Sequence, residues 1–340
     1  MWKSTVCARA GNNPATSRRF LLLAGLLCGL ALVTAAPGAR ADNGGYFRIA
    51  TGTTDGTYFP IGALIAAAIS NPPGSRECAD GGSCGVPGLI AVGRASKGSV
   101  ENVGLIAKGA VESGLSQADV AYMAYHGLGR FRGGAPYDGL RVIATLYPEL
   151  VQLAVRKHSG IYAVEDLRDK RVSLGVVGSG TALDAEVIMV AHGLKLDDYT
   201  AIYFDLGESA DRLRLGKIDA FFIIAGTPVP ALEDLAEQTN ITLLPIHGEA
   251  SARLRKKFPF FVPTTLPAGI YRNVGATETL SVGAQWLVST RLEENRAYEM
   301  TPGDTVQTDE EWLQFARDNG QTVFHPIGTC KMGNDPMSVV

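Results

Sequence analysis

Three short segments of this 340-residue chain gather groups suited to holding an anion: T-G-T-T-D-G at Thr51 to Gly56, S-V-E-N at Ser99 to Asn102, and G-S-G-T at Gly178 to Thr181. Each lies just ahead of apolar residues at helical spacing, so each reads as a turn that opens a helix. A helix start carries backbone N–H groups without intrahelical partners and a partial positive charge. Serine and threonine hydroxyls beside it donate to the same bound oxygen. The same hydroxyls also serve as ordinary helix caps, so one such turn decides nothing. Three in one chain, two of them glycine-rich, point to a shared binding site. In S-Q-A-D at Ser116 to Asp119, which has capping-box spacing, Gln117 and Asp119 suit an ammonium or amide group, and Asp119 equally suits a capping carboxylate.

Catalytic arrangements are harder to find. G-S-G-T lacks the glycines two positions either side of serine that a nucleophile elbow needs. The five histidines, His126, His158, His192, His247 and His325, are isolated in sequence, with no H-E-x-x-H and no i,i+4 pair. G-x-G-x-x-G does not occur. The residues therefore imply no enzyme, no cofactor and no metal.

The elements that must position these turns alternate. Phe47 to Ala50 reads as a strand and Ile61, Leu64, Ile65, Ala68 and Ile69 as a helix stripe stopped by Asn71-Pro72-Pro73-Gly74. Further strands are expected at Leu89 to Val92, near Leu115, at Val172 to Val177, Ile202 to Phe204 and Ala220 to Ile224. Helices follow Ser99, Gly180 and Ser209. Such alternation predicts an α/β fold with parallel-rich sheets flanked by helices, and ligands then sit beyond the carboxyl ends of the strands. Two apolar runs, Leu140 to Leu146 and Leu150 to Arg156, separated by Tyr147-Pro148-Glu149, read as a crossing between two lobes. Leu243 to Ile246 reads as the return, and Thr279 to Val288 as a strand of the first lobe. The expected division is residues 42–146 plus 247–297 for lobe 1 and 147–246 for lobe 2, with a hinge where the chain crosses twice.

Residues 1–41 have the layout of an export signal: Lys3, Arg9, Arg18 and Arg19, an apolar run from Phe20 to Ala36, then Ala39-Arg40-Ala41. Cleavage after Ala41 and a periplasmic location follow as expectations, by the secretory or the twin-arginine route. The leader holds five of the 31 basic residues and none of the 34 acidic ones, leaving a formal charge of −8. That excludes nucleic acid as the expected partner. Of the three cysteines beyond the leader, Cys78 and Cys84 flank A-D-G-G-S and are expected to form a disulfide, leaving Cys330 without a partner.

Read together, T-G-T-T-D-G-T-Y-F-P-I-G, S-N-P-P-G-S-R-E-C, S-C-G-V-P-G-L-I-A-V, G-S-V-E-N-V, V-E-S-G-L-S-Q-A-D-V-A, L-R-D-K-R-V-S-L with G-S-G-T, D-A-F-F, P-A-G-I-Y and L-S-V-G-A-Q-W resemble the TAXI group of TRAP-transporter solute receptors, over about residues 47–295. The resemblance implies a two-lobed periplasmic binding protein of type II with a small organic anion, an amino acid or carboxylate, held in the cleft. It also implies delivery to a TRAP membrane permease. Carried over by position, it assigns ligand binding to Thr53, Thr54, Tyr58, Ser99, Asn102, Gln117, Asp119, Ser179, Gly180 and Thr181. From about Tyr298 the chain changes character. P-G-D-T-V-Q-T-D-E-E-W through H-P-I-G-T-C-K-M-G resembles the C-terminal part of glucose-methanol-choline oxidoreductases, with His325 where that family keeps an active-site histidine. The flavin-binding part of that family has no counterpart here, so no oxidase activity and no flavin are expected, and the tail reads as the product of a gene fusion.

Overall fold

The computed structural model describes residues 46–293 together with Ala297 and Met300. The leader with its cleavage site, and the tail with His325 and Cys330, lie outside the described residues. The described chain is mixed α/β, a ten-stranded sheet with helices on both faces.

One flank is built from β1 (Tyr46–Ala50), a short pair β2 (Ser70–Asn71) and β3 (Val86–Pro87) beside it, β4 (Ile90–Arg94) and β5 (Ser113–Gln117). β1 pairs in parallel with both β4 and β5. The connecting helices are α1 (Tyr58–Ile69), α2 (Ser99–Lys108) and α3 (Ala118–His126). Strand alternation sorts their partners: Phe47 and Ile49 face α1 with Leu115 and Trp286, while Ala50 faces α2 and α3 with Val103, Ile106 and Val120. α1 sits tight on the sheet because residue 62 is glycine; a Cβ there would overlap the Thr51 side chain.

The other flank holds β7 (Arg171–Ser173), β8 (Thr200–Ile202) and β9 (Ala220–Ala225), also parallel to one another. Its helices are α4 (Gly180–Ala191), α5 (Leu206–Arg214), α6 (Pro230–Gln238) and α7 (Gly248–Lys257). Phe222 and Ile224 pack toward α4 and α7, and Phe221 and Ile223 toward α5 and α6. Each fully buried side chain of this size contributes roughly 1.5–3 kcal/mol.

Between the flanks run two long strands, β6 (Leu140–Arg156) and β12 (Thr277–Ser289), antiparallel to each other. The sheet order is β4-β1-β5-β12-β6-β9-β7-β8, with β10 (Ile241–Leu243) on β6 and β11 (Val262–Leu266) on β12. The flanks are parallel, as the alternation predicts, and the centre is antiparallel because β6 and β12 each pass from one half to the other.

Two expectations change here. Tyr147-Pro148-Glu149 does not separate two strands but lies inside β6. Proline lacks an N–H for the ladder, and Pro148 falls opposite Gly283, where the β6–β12 register shifts. Residues 247–276 were expected with lobe 1, yet Leu254, Phe261, Tyr271 and Val274 pack into the cores of the second half. The return passage is in β12: Leu280 and Val282 belong to the second-half core and Ala284, Trp286 and Val288 to the first.

Candidate functional site

The carboxyl ends of the strands from both halves open on one cleft of about 100 Å³. Thr53 and Tyr58 from the first turn, Ser99 at the start of α2, Gln117 at the end of β5, and Ser179, Gly180 and Thr181 at the start of α4 all line it. Seven of the ten expected site residues are thus brought together. Thr54 is exposed and outside the cleft lining. Asn102 is a structural staple: its Nδ2 donates to the carbonyls of Thr51 at 2.6 Å and Leu115 at 2.7 Å, and its Oδ1 accepts from Ser96 Oγ at 2.6 Å. Asp119 is fully buried behind the lining.

The turns do not all cap as their sequences suggest. Ser179 does cap α4, its Oγ accepting from the Ala182 amide at 3.0 Å. Ser99 is the first residue of α2, after Gly98, and its Oγ accepts from the Gln117 amide at 3.1 Å. Ser116 caps nothing; Gln117 precedes α3 without a side-chain cap. Sequence reasoning also missed Lys97, Thr57 and Glu149, all of which line the cleft. Lys97 supplies a cation at the mouth, near Gly178.

Contacts between the halves meet across the cleft. The Glu101 amide donates to the Gly178 carbonyl at 3.0 Å, and the Gly207 amide to Asp55 Oδ2 at 2.8 Å. Gly180 is needed because a Cβ would overlap the Gln117 carboxamide and Ser99 Oγ. The Gln117 side chain is buried, and its Nε2 has no hydrogen-bond partner. An unpaired buried donor costs about 1–3 kcal/mol, which a bound acceptor removes.

An acidic group of unusual composition runs from the cleft wall at Tyr58 and Glu149 to Asp119 and Asp184 behind it. Tyr58 Oη donates to Glu149 Oε2 at 2.6 Å, and both residues are buried. Burial first, then the charge of Asp119, pushes the Glu149 carboxyl up to about 8, against the pull of the Tyr58 hydrogen bond. Burial and the Glu149 carboxylate push the Tyr58 hydroxyl well up. Asp119 and Asp184 are likewise raised, by burial above all, and Asp184 further by the charges of Asp119 and Glu149. That shift favours the neutral acid at Glu149 at neutral pH, with Oε2 accepting from Tyr58. Among the described residues no group of three His, Cys, Asp or Glu side chains is arranged for a metal ion.

Away from the cleft, Cys78 and Cys84 are joined in a disulfide. No helix among the described residues is long and apolar enough to cross a membrane.

A family model described as NMT1-like family matches residues 49–302, and one described as GMC oxidoreductase matches residues 273–340. Over 49 residues the chain is similar to oxygen-dependent choline dehydrogenases. That of Citrobacter koseri is 55% identical over 49 residues, 14% of this chain and 9% of the relative, and that of Escherichia coli O139:H28 is 53% identical over the same length. The chain thus covers less than a tenth of those curated relatives. Solved structures similar to it include the periplasmic aliphatic sulphonate binding protein SsuA from Escherichia coli, 14% identical, with a TM-score of 0.40 over 81% of this chain and 74% of that one. An ancestral arginine-binding protein bound to arginine is 12% identical, with a TM-score of 0.44 over 81% of this chain and 97% of that one.

Proposed function

The chain belongs to the NMT1-like family, and on that premise we propose that it is a periplasmic solute receptor, not an enzyme. It captures a small organic anion, an amino acid or carboxylate, and delivers it to a TRAP-type permease after the leader is cleaved behind Ala41. The observation that carries this reading is the convergence of the α1, α2 and α4 starts, from both sheet halves, on one cleft with an unpaired buried Gln117 amide. The helix starts and Lys97 attract the anion, while protonated Glu149 meets it as a donor and not as a like charge.

In this reading the halves are lobes, residues 46–146 with 284–293 and residues 149–282, joined through β6 and β12. Solute contacts made by both lobes favour the closed form, and only that differential affinity drives closure. A thermal-shift screen of the exported chain against amino acids and carboxylates tests it: one class raises the melting temperature saturably, and no shift with any solute removes the reading.

The match over residues 273–340 favours a second reading, that the tail derives from an alcohol oxidoreductase. Purified chain with a flavin absorbance spectrum would support catalysis over capture.

A further inference from the structure

Asp119 stands in the first turn of α3 and Asp184 in the first part of α4, so the two come from opposite sides of the cleft. Both are fully buried. The four carboxylate oxygens find no side-chain donor when both groups are ionised, and only the backbone N–H groups of Asp119 and Val120 favour the charged form of Asp119; the two side chains are close enough to hydrogen-bond as soon as one holds a proton. The groups facing the pair are Glu149 of β6, hydrogen-bonded to Tyr58 of α1, and beyond them Tyr147 of β6. No lysine, arginine or histidine among the described residues offsets either carboxylate. The basic residues that α7 brings to α4 lie at its far end, with Arg253 reaching the Ala191 carbonyl. Two carboxylates in contact without a cation cannot both ionise and stay buried.

Separating the lobes would return both groups to water, where each ionises as an ordinary carboxyl. We propose that Asp119 and Asp184 form a proton-operated latch: closing the cleft takes up a proton shared by the pair, and opening releases it. The latch rests on the reading of the halves as lobes that close. It makes solute capture tighter in acid and couples each closure to the proton concentration outside the cytoplasm. By linkage, one proton taken up lowers the closing constant about tenfold per pH unit once the open-state carboxyls are ionised.

The test needs no ligand. The Glu101 and Gly207 amides are hydrogen-bonded across the cleft, so their protection from hydrogen–deuterium exchange, corrected for the chemical rate, reports closure. In the full exported chain from pH 5 to 8 we expect that protection to fall with pH, and the slope to drop by about one proton in D184N and D119N, whose amide donates to the remaining carboxylate. E149Q, which leaves the pair intact, retains the pair's share of the slope. The Phe222 amide in β9, inside the core, identifies a variant that has lost its fold, in which case the other aspartate variant carries the comparison. Protection independent of pH in the unaltered chain, or the same slope in the folded aspartate variants, overturns the latch. A chain that shows the slope and binds none of the screened solutes loses the receptor reading and keeps the latch.

Discussion

Replacing Glu149 with glutamine changes one property of the site and preserves most others. The glutamine carbonyl still accepts from Tyr58, at the place where Oε2 now does at 2.6 Å. What disappears is the titration. In the unfolded chain Glu149 ionises near 4.5; in the native chain burial raises it to about 8. A raised carboxyl contributes most below its unfolded value, and that contribution is lost as pH rises from about 4.5 toward 8. At about 1.4 kcal/mol per pH unit, roughly 3 kcal/mol of native stability is gone by pH 7. E149Q should therefore match the parent near pH 4.5 and exceed it by about 3 kcal/mol at pH 7, a melting temperature higher by roughly 6 °C. Urea denaturation of both proteins at pH 4.5, 6, 7 and 8 measures this. Because the Glu149 charge also raises Asp184, the difference between the two curves reports Glu149 together with its coupling to the aspartate pair. A difference that does not change with pH, or a glutamine variant less stable at pH 8, would refute the placement of a buried neutral acid at the junction of β6 and α1.

Two further substitutions separate closure from folding. G180A places a methyl group against Gln117 and Ser99 across the cleft. We expect tenfold or greater loss of solute affinity by calorimetry, on the order of the 1.4 kcal/mol that a tenfold change represents, with little change in urea stability. N102A removes the donor shared by the Thr51 and Leu115 carbonyls inside the first lobe. It should cost roughly 2–4 kcal/mol in urea denaturation, two unsatisfied buried acceptors, which sets it apart from a ligand contact that would alter affinity alone.

The strand, turn and helix order was legible because glycine and proline punctuate this chain at the ends of periodic runs, and the starts of α1 and α4 fell where the turns placed them. Side-chain direction was not legible. Ser99 and Asn102 share a helix start, but Ser99 faces the cleft and Asn102 the sheet, and an S-x-x-N spacing reads the same either way. Glu149 escaped notice because a proline beside it reads as a strand break. Only the pairing of β6 with β12 shows that the strand continues and that the carboxyl is buried. The cue available in sequence was a lone acid between two apolar runs. The assignment of residues 247–276 failed for a related reason. α7 is mostly polar, and which core receives Leu254 depends on tertiary packing with α4, which local spacing does not encode.

The central claim is capture between the two halves. Calorimetric titration of the exported chain with L-glutamate, malate and pyruvate, beside the same titrations of a G180F variant whose side chain fills the cleft, tests it most directly. The account predicts saturable one-to-one binding of at least one of these anions by the parent chain, without turnover, and none by the filled variant. Equal binding by both proteins would place the solute elsewhere and contradict the account.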